Sequence, residues 1–451
     1  MRAVETPIAD FVGAYARSGV SRLHMPGHKG RGPLGCEALD ITEVSGADAL
    51  YEAAGIIARS EANAASLFGT AATFYSTEGS SQCIRAMLYL ALLRAPRTER
   101  RPVIAAARNA HRTFLLAAAL LDFDVAWLWP EDGSFSLCRC AVTPEGLDRA
   151  LAALPEPPAA VYVTSPDYLG GVLDVAGLAE TAHRRGVPLL VDDAHGAYRR
   201  FLPDGGHPVT LGADLCCDSA HKTLPVLTGG AYLHVGPAAP AEFAENGKRA
   251  LALFGSTSPS YLILQSLDLA NRRLADGAYP RQLAACAERL ERLRAALGAN
   301  GWQTAQSDPL KLTVAAADSG WEGPAAAERL RRGGAECEYA DPDFVVLMAS
   351  PDNREEDFRR VEAALGRNPR TGPLRRPALR LAPPERVLTP RQAAFAPSET
   401  VAADRAVGRV LADPSVGCPP AVPVVVSGER IGADAAAIFA RWGIGSVRVI
   451  R

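Results

Sequence analysis

The feature that most constrains this chain is a regular alternation of short apolar runs and helical segments between residues 71 and 235. The runs at 101–107, 159–165 and 187–193 have the length of strands, and segments with helical spacing lie between them. This alternation indicates a mostly parallel sheet covered by helices, because parallel strands need long crossover connections. The runs are apolar throughout, as expected for strands buried on both faces. We therefore predict an α/β fold.

The segments on either side of this pattern predict further parts of the chain. Helical spacing predicts long helices at 51–69 and 262–298, and short apolar runs predict strands at 335–341 and 422–429. The predicted domains are, in chain order, an N-terminal arm with a helix (1–70), a large sheet domain (71–265), a small α+β domain (266–370), a Pro- and Arg-rich linker (371–390) and a small C-terminal domain (391–451).

Length, charge and cysteine content exclude several classes of function. A chain of 451 residues exceeds one ordinary core, and a net charge of −2 argues against nucleic acid or an anionic membrane as a partner. No apolar run reaches the roughly 18–20 residues that span a bilayer, and the N-terminal segment lacks the apolar centre of a signal peptide. We therefore expect a cytoplasmic location. The nine cysteines form no CxxC pair, so we expect no metal site and reduced thiols.

Polar residues directly follow several of the predicted strands. Ligands of open parallel sheets bind beyond the carboxyl ends of the strands, so these residues are the first site candidates. Gly79, Ser80 and Ser81 open a helix and suit a phosphate, although a plain helix cap has the same composition. Asp192 and Asp193 end another strand and suit a metal ion, a general base, a cationic ring nitrogen or a helix N-cap.

Three further candidates, His111, Thr164 and Lys222, also follow strands. Lys222 is one of four lysines in a chain with 48 lysine and arginine residues. A lysine in an apolar cleft has a lowered pKa and becomes a nucleophile towards carbonyl groups. A cofactor aldehyde held by such a lysine also needs a phosphate-binding turn, a stacked ring and a carboxylate for its ring nitrogen. His111, the Gly–Ser turn and Asp192 offer one candidate for each need, so we predict pyridoxal phosphate as the cofactor.

Successive motifs of the chain resemble those of the Orn/Lys/Arg decarboxylase family. They are HMPGHKG (24–30), RNAHRT (108–113), TSPDYLGG (164–171), VDDAHGAY (191–198), DSAHKTLPVLTGG (218–230), GSTSPSY (255–261) and EYADPDFVVLM (338–348). The tail resembles the small C-terminal domain of that family. The resemblance implies a pyridoxal phosphate-dependent fold like that of aspartate aminotransferase. It also implies the shorter, biosynthetic type, which has no N-terminal wing domain.

The resemblance implies a role for each matching residue. Lys222 would hold the cofactor aldehyde, Asp192 would pair with the ring nitrogen, and His111 would stack on the ring. His195 would lie near the ring hydroxyl, and Glu338 matches an acidic position near the distal amine of the substrate. The cofactor phosphate would be held by Ser80, Ser81, Ser219 and His221, and by Ser256, Thr257 and Ser258 of a second subunit. The active sites would then be shared within a homodimer or a larger homo-oligomer.

Several positions beside these motifs differ from the family pattern. Glu78 stands where an Asn is usual, Asp167 where a Thr is usual, and Ala220 where a hydroxyl residue is usual. The two added acids suit a cationic substrate, and they equally fit a different substrate or reaction. The leading interpretation is a decarboxylase that converts arginine, lysine or ornithine to an amine, as in polyamine biosynthesis. The alternative is a same-fold aminotransferase, cyclase or oxidase in a specialised pathway. A catalytically silent relative is disfavoured because Lys222 is present.

Overall fold

The computed structural model describes residues 4–96, 99–130, 139–203, 205–305, 308–370, 372–376, 381–416 and 423–451. The chain divides into two compact units, each built from two separate segments. The first unit comprises Met1–Ala95 and Val175–Arg281, and the second comprises Pro96–Asp174 and Gln282–Arg451. The domain boundaries that we predict from the sequence stay a prediction.

Helices and short strands alternate along most of the chain. The helices are α1 (Pro7–Arg17), α2 (Ile56–Phe68), α3 (Ser80–Arg94), α4 (Arg112–Leu121), α5 (Pro144–Ala152), α6 (Val175–Arg184), α7 (Ala220–Thr223), α8 (Ala241–Ala252), α9 (Tyr261–Ala275), α10 (Ala278–Ala299), α11 (Gly323–Arg332), α12 (Glu355–Leu365), α13 (Pro390–Ala394) and α14 (Ala433–Arg441). The strands are β1 (Ala72–Ser76), β2 (Val103–Ala107), β3 (Asp124–Leu128), β4 (Ala160–Thr164), β5 (Leu189–Asp192), β6 (Leu215–Asp218), β7 (Ala231–Val235), β8 (Thr304–Ala305), β9 (Lys311–Ala315), β10 (Tyr339–Ala340), β11 (Phe344–Met348), β12 (Ser398–Ala402), β13 (Ser415–Val416), β14 (Val425–Val426) and β15 (Ser446–Ile450). Among the described residues, no helix has both the length and the apolar character needed to cross a membrane.

The first unit carries strands in the order β1-β7-β6-β5. β5 and β6 are parallel, with Asp192 opposite Cys217, whereas β7 is antiparallel to both β6 and β1. Every residue of β5, β6 and β7 is buried, which accounts for the apolar character of these runs. Helix α3 packs against β6, β7 and α8. This packing holds the N-terminus of α3 near the ends of the strands.

The second unit carries β4, β2 and β3 as parallel neighbours. It also has an antiparallel sheet in the order β10-β11-β9-β8 and two antiparallel pairs, β12 with β15 and β13 with β14. The alternation of strand and helix from β2 to β6, together with the parallel pairings, confirms the predicted α/β fold with a mostly parallel sheet.

Two predicted helices differ from the structure at identifiable places. The stretch 262–298 forms two helices, because α9 ends where Asp276 adopts an extended backbone. The stretch 51–69 is helical only from Ile56 onwards. Asp48 accepts hydrogen bonds from the N–H groups of Gly55 (2.7 Å) and Ile57 (3.0 Å), so its carboxylate caps the start of α2. Neither break follows from helical spacing alone.

Two predicted strands are shorter than their apolar runs. At 335–341 only Tyr339 and Ala340 pair as a strand. At 422–429 only Val425 and Val426 do so, because Gly428 turns the chain with a φ of 88°. Residue 422 lies outside the described residues, as do positions 371 and 377–380 of the predicted linker.

A buried carboxylate joins α1 to the rest of the first unit. Asp268 of α9 accepts hydrogen bonds from the N–H groups of Ile8 (2.9 Å) and Ala9 (3.0 Å) and from the Ser60 hydroxyl of α2 (2.5 Å). Thr6, the N-cap residue of α1, provides no side-chain cap. Asp268 therefore takes the place of a local cap and complements the positive end of the helix dipole. Burial raises the pKa of this carboxyl to about 6.

Replacing Asp268 with Ala is expected to destabilise the first unit by about 3 kcal/mol or more. Three donors in α1 and α2 lose their acceptor, and each buried unsatisfied donor costs roughly 1–3 kcal/mol. Urea unfolding followed by circular dichroism measures the loss. Asp276→Ala at the exposed end of the same helix is the matched control, and an equal effect of both changes would contradict the capping role.

Candidate active site

Lys222 lies on α7, a single helical turn that follows the buried strand β6. Its Nζ atom is 3.0 Å from Nε2 of His195, which follows β5. An apolar cleft around Lys222 is the sequence expectation, whereas the residue is exposed in the structure. The contact that the structure provides is therefore polar: an imidazole that can exchange a proton with the amine.

Three groups that suit a phosphate meet where α3 begins. Gly79 precedes α3 with a φ of 72°, and its N–H donates to the Gly229 carbonyl (2.7 Å). The Ser219 hydroxyl donates to the Ser80 hydroxyl (2.8 Å). The first turn of α3 contains no acidic residue, so the positive end of its dipole is not neutralised locally.

His221 lies next to this turn in a defined tautomer. Its Nδ1 is 3.0 Å from the Gly230 carbonyl oxygen, which can only accept, so Nδ1 carries the proton. A Cβ atom added to Gly79 would lie 4.0 Å from the His221 ring. Burial, with a contribution from the nearby Lys222, lowers the pKa of His221. An anion beside the ring would oppose this shift and favour the charged imidazole.

Asp192 ends β5 with its side chain almost fully buried, at 2% exposure. The carboxylate accepts from the N–H of Ala194 (3.2 Å) and from the Cys217 thiol (3.6 Å). A buried carboxylate is costly unless it is paired with a cation or with several donors. Asp192 is therefore suited to hold the proton on a cationic ring nitrogen.

Asp193 belongs to a buried cluster that the sequence analysis missed. Asp218 accepts from Nε2 of His207 (3.0 Å) and Nε2 of His234 (3.1 Å), and all four side chains are fully buried. Burial alone would raise the pKa of Asp218, but the two imidazoles outweigh it and hold that pKa below its usual range. Burial and the Asp218 charge raise the pKa of Asp193. The structure places Asp193 in this network, 3.4 Å from Nε2 of His207, and the roles that the sequence left open for it stay predictions.

The alternation of side chains along a strand explains the different surroundings of the two neighbouring aspartates. Asp192 and Cys217 point to one face of the sheet, whereas Asp193 and Asp218 lie with the histidines. Side chains alternate between the two faces of a strand, and this alternation was the signal in the sequence that could have separated the two aspartates. The histidine partners come from separate segments, and no local pattern identifies them.

The second unit holds two of the predicted cofactor residues. His111 is the N-cap of α4, and its Nδ1 accepts from the N–H of Thr113 (3.2 Å). Since an N–H can only donate, the proton of a neutral His111 ring is on Nε2. Thr164 ends β4, and its buried hydroxyl oxygen has no hydrogen-bond partner among the described residues. Such an atom suits a polar ligand group.

The three acids predicted to meet the substrate have different surroundings. The Glu78 carboxylate accepts from the N–H of Ser256 in the first unit, and Ser256, Thr257 and Ser258 are exposed. In the second unit, Glu338 accepts from the Tyr168 hydroxyl.

Asp167 is buried and accepts from the N–H of Gly171 (2.7 Å) within its own turn. Burial raises the pKa of Asp167 to about 6, although the Gly171 N–H and the nearby Lys311 oppose the shift. Asp167 is thus engaged within its own turn and Glu78 with a residue distant in the sequence. Their predicted contact with substrate stays a prediction.

Comparisons with known proteins identify the family of the chain. Residues 6–323 match the family model described as Orn/Lys/Arg decarboxylase, major domain. The chain belongs to the Orn/Lys/Arg decarboxylase family. It is therefore an amino acid decarboxylase, with pyridoxal phosphate as its cofactor.

Individual relatives cover nearly the whole decarboxylase. An uncharacterized protein of Bacillus subtilis, YaaO, is 28% identical over 458 residues, or 95% of this chain and 92% of the relative. The arginine decarboxylase of the same organism is 29% identical over 461 residues, or 95% of this chain and 91% of the relative. The lysine decarboxylase LdcF of Francisella novicida matches in structure with a TM-score of 0.82 at 16% identity, covering 99% of this chain and 81% of that one. That likeness supports the predicted fold class.

The residues of the decarboxylase fit the cofactor that its family uses. The Gly79 turn with two serine hydroxyls suits the phosphate, and the buried Asp192 suits the ring nitrogen. The unpartnered Thr164 oxygen suits a polar group. A primary amine, Lys222, follows β6 beside an imidazole.

The raised pKa of Asp167 predicts a pH-dependent loss of stability. The unfolded chain loses this proton near its ordinary pKa of 3.8, whereas the folded chain keeps it up to about 6. Stability contributed by the protonated carboxyl is therefore lost as pH rises through that window, by about 3 kcal/mol at most. Asp167→Asn keeps an acceptor for Gly171 but cannot ionise, so its stability relative to wild type should improve between pH 4 and pH 7.

Urea midpoints at several pH values measure this difference. The exposed Asp318→Asn variant in the same unit is the control. A difference between Asp167→Asn and wild type that is the same at every pH would contradict the assignment.

Proposed function

We propose that this enzyme decarboxylates a basic amino acid, arginine, lysine or ornithine, and releases the corresponding amine. The observation that carries the proposal is the position of Lys222, an amine beside His195 on the turn after a buried strand, with phosphate-binding groups on the same turn. The relatedness to the Bacillus subtilis arginine decarboxylase supports a substrate of this class.

The residues of the chain would divide the work as follows. Lys222 would hold the cofactor, Asp192 would keep its ring nitrogen protonated, and the ring of His111 would stack on the cofactor ring. When bound, pyridoxal phosphate supplies an electron sink for the charge left on Cα as CO₂ leaves. Lys222 would return a proton to Cα, and His195, whose Nε2 is 3.0 Å from the Lys222 amine, could exchange protons with it. His111, whose neutral ring carries its proton on Nε2, is the alternative proton donor.

Glu338 is the candidate for binding the distal cation of the substrate. Its carboxylate accepts from the Tyr168 hydroxyl, which leaves it capacity for further donors. A guanidinium or ammonium group is the natural partner for such a carboxylate. The homodimeric assembly with shared active sites and the cytoplasmic location are parts of the same proposal.

The first test concerns Lys222. Reduction of the holoenzyme with borohydride followed by peptide mass spectrometry should find the cofactor attached to the peptide that contains Lys222. Lys222→Ala should lose that attachment and the visible absorbance band, and Lys222→Arg should behave in the same way, because an arginine does not lose its proton. Attachment elsewhere, or an unchanged band in both variants, would overturn the assignment.

The second test concerns substrate and reaction. The holoenzyme is incubated with arginine, lysine and ornithine, and CO₂ and the amine are measured. Glu338→Gln should raise the KM for the favoured substrate about tenfold or more, because a hydrogen bond to a charged group contributes roughly 1.5–3 kcal/mol. Its affinity for the cofactor should change little.

Glu336→Gln is the matched control, since Glu336 is exposed and pairs with Arg331 instead. A keto acid, ammonia or peroxide as the product would favour the aminotransferase, cyclase or oxidase alternative. An equal loss of substrate and cofactor binding in Glu338→Gln would give Glu338 a structural role.

A further inference from the structure

A buried ion pair lies directly before the turn that carries His111. The Arg108 guanidinium donates to both carboxylate oxygens of Glu429, at 2.8 and 2.7 Å. The two side chains are 1% and 4% exposed. The guanidinium also lies 4.7 and 4.8 Å from the ring centroids of Trp127 and Trp129. Removing one partner of such a pair leaves an uncompensated buried charge, so the geometry is strongly held.

Glu429 belongs to the C-terminal module, defined here as residues 381–416 and 423–451. The carboxylate also accepts from the N–H of Val426 (2.8 Å). Gly428 precedes it with a φ of 88°, and a Cβ atom there would come within 2.3 Å of the Leu388 carbonyl oxygen. Close packing therefore fixes the turn at Gly428, and the turn sets the position of Glu429, the next residue.

The core of the C-terminal module gives this turn a rigid base. Its buried apolar residues come from both ends of the module: Leu411, Val424, Val425, Ile431, Ile438, Phe439, Val447 and Val449. Val424 also accepts from the Arg108 guanidinium through its carbonyl (3.3 Å). The core of the module thus gives a fixed base to two groups that contact the guanidinium, Val424 and Glu429.

Only a short turn separates Arg108 from His111. The N–H of Arg108 donates to the Leu128 carbonyl (3.1 Å), and the N–H of Ala110 donates to the Ala107 carbonyl (3.1 Å). His111 then caps α4 through its Nδ1 atom. Arg108 and His111 are therefore three positions apart at the two ends of one hydrogen-bonded turn.

The C-terminal module also contacts the other end of α4. The Arg391 guanidinium donates to the carbonyls of Ala119 (3.1 Å) and Leu120 (3.3 Å) in the last turn of the helix. Helix α13, which carries Arg391, packs against α4. A cation at the C-terminus of a helix also stabilises the helix dipole. Residues of one module thus hold both ends of the helix that His111 begins.

We propose that Glu429, acting through Arg108, is a positioning residue for His111, and that the C-terminal module sets the orientation of that ring. The inference rests on the proposed function in which His111 stacks on the cofactor. It assigns to the C-terminal module a task in catalysis that lies outside the matched family region at 6–323.

The test compares Glu429→Gln with Glu385→Gln in the holoenzyme. Glu385 pairs with Arg430 at 2.7 Å in the same module, but both side chains are exposed. Glu429→Gln should shift the visible absorbance and circular dichroism of the bound cofactor. It should also lower kcat about 10- to 100-fold with little change in KM, because a small misplacement of a catalytic group has effects of that size. Glu385→Gln should leave all of these within about twofold.

A double-mutant cycle with His111→Ala separates positioning from general stability. If Glu429 acts through His111, Glu429→Gln should cost little further kcat and give no further spectral shift in the His111→Ala background. Additive losses would overturn the positioning role and leave the function of His111 intact. An unchanged spectrum and rate in His111→Ala alone would overturn both that function and this inference.

If Glu429→Gln does not fold, Arg391→Ala tests whether the C-terminal module positions His111. Arg391 makes its contacts at the exposed end of α4, so its removal is expected to preserve the fold. It should shift the cofactor spectrum in holoenzyme with wild-type His111 and leave the spectrum of the His111→Ala background unchanged. The same shift in both backgrounds, or none in either, would overturn the inference.

Discussion

Buried charge at the carboxyl ends of β5 and β6 is the constraint on which the first unit depends. Two aspartates in succession must point to opposite faces of a strand, so each needs its own partners. Asp193 lies in a buried group with Asp218, His207 and His234, and its Oδ2 atom is 3.4 Å from Nε2 of His207. Asp192, on the other face, has a backbone N–H and a thiol as neutral donors. Two neighbouring carboxylates with different partners are therefore buried at one strand end.

In the second unit, a buried charge is neutralised by a residue that is far away in the sequence. Arg108 is buried at the end of β2, and its counter-charge comes from position 429 rather than from a neighbouring strand. Two tryptophan faces complete the surroundings of the cation. The pair links the parallel strands to the C-terminal module, which has an apolar core of its own. Electrostatics, rather than apolar burial alone, thus defines where the module attaches.

The parts that the sequence predicts are those governed by local periodicity. Continuous apolar runs identify β2, β4 and β5, and residues directly after strands identify Lys222, Asp192 and His111 as site candidates. Non-local hydrogen bonds explain what the sequence does not predict. Asp48 decides where α2 begins, Asp268 replaces a local cap on α1, and Glu429 neutralises a cation 321 positions away. The sequence does not predict the cluster around Asp218 for the same reason, since its histidines come from separate segments.

The positions of the four lysines determine how many side-chain amines the protein exposes. Lys311 is 1% exposed and donates to the Asp167 carbonyl (2.9 Å), and Lys248 is bound to Glu61 and to the Leu50 carbonyl. Lys29 and Lys222 are the lysines that the described structure leaves exposed. The enzyme thus presents almost no competing side-chain amines to a free aldehyde. Under the proposed role of Lys222, cofactor that met the surface elsewhere would find few side-chain amines with which to react.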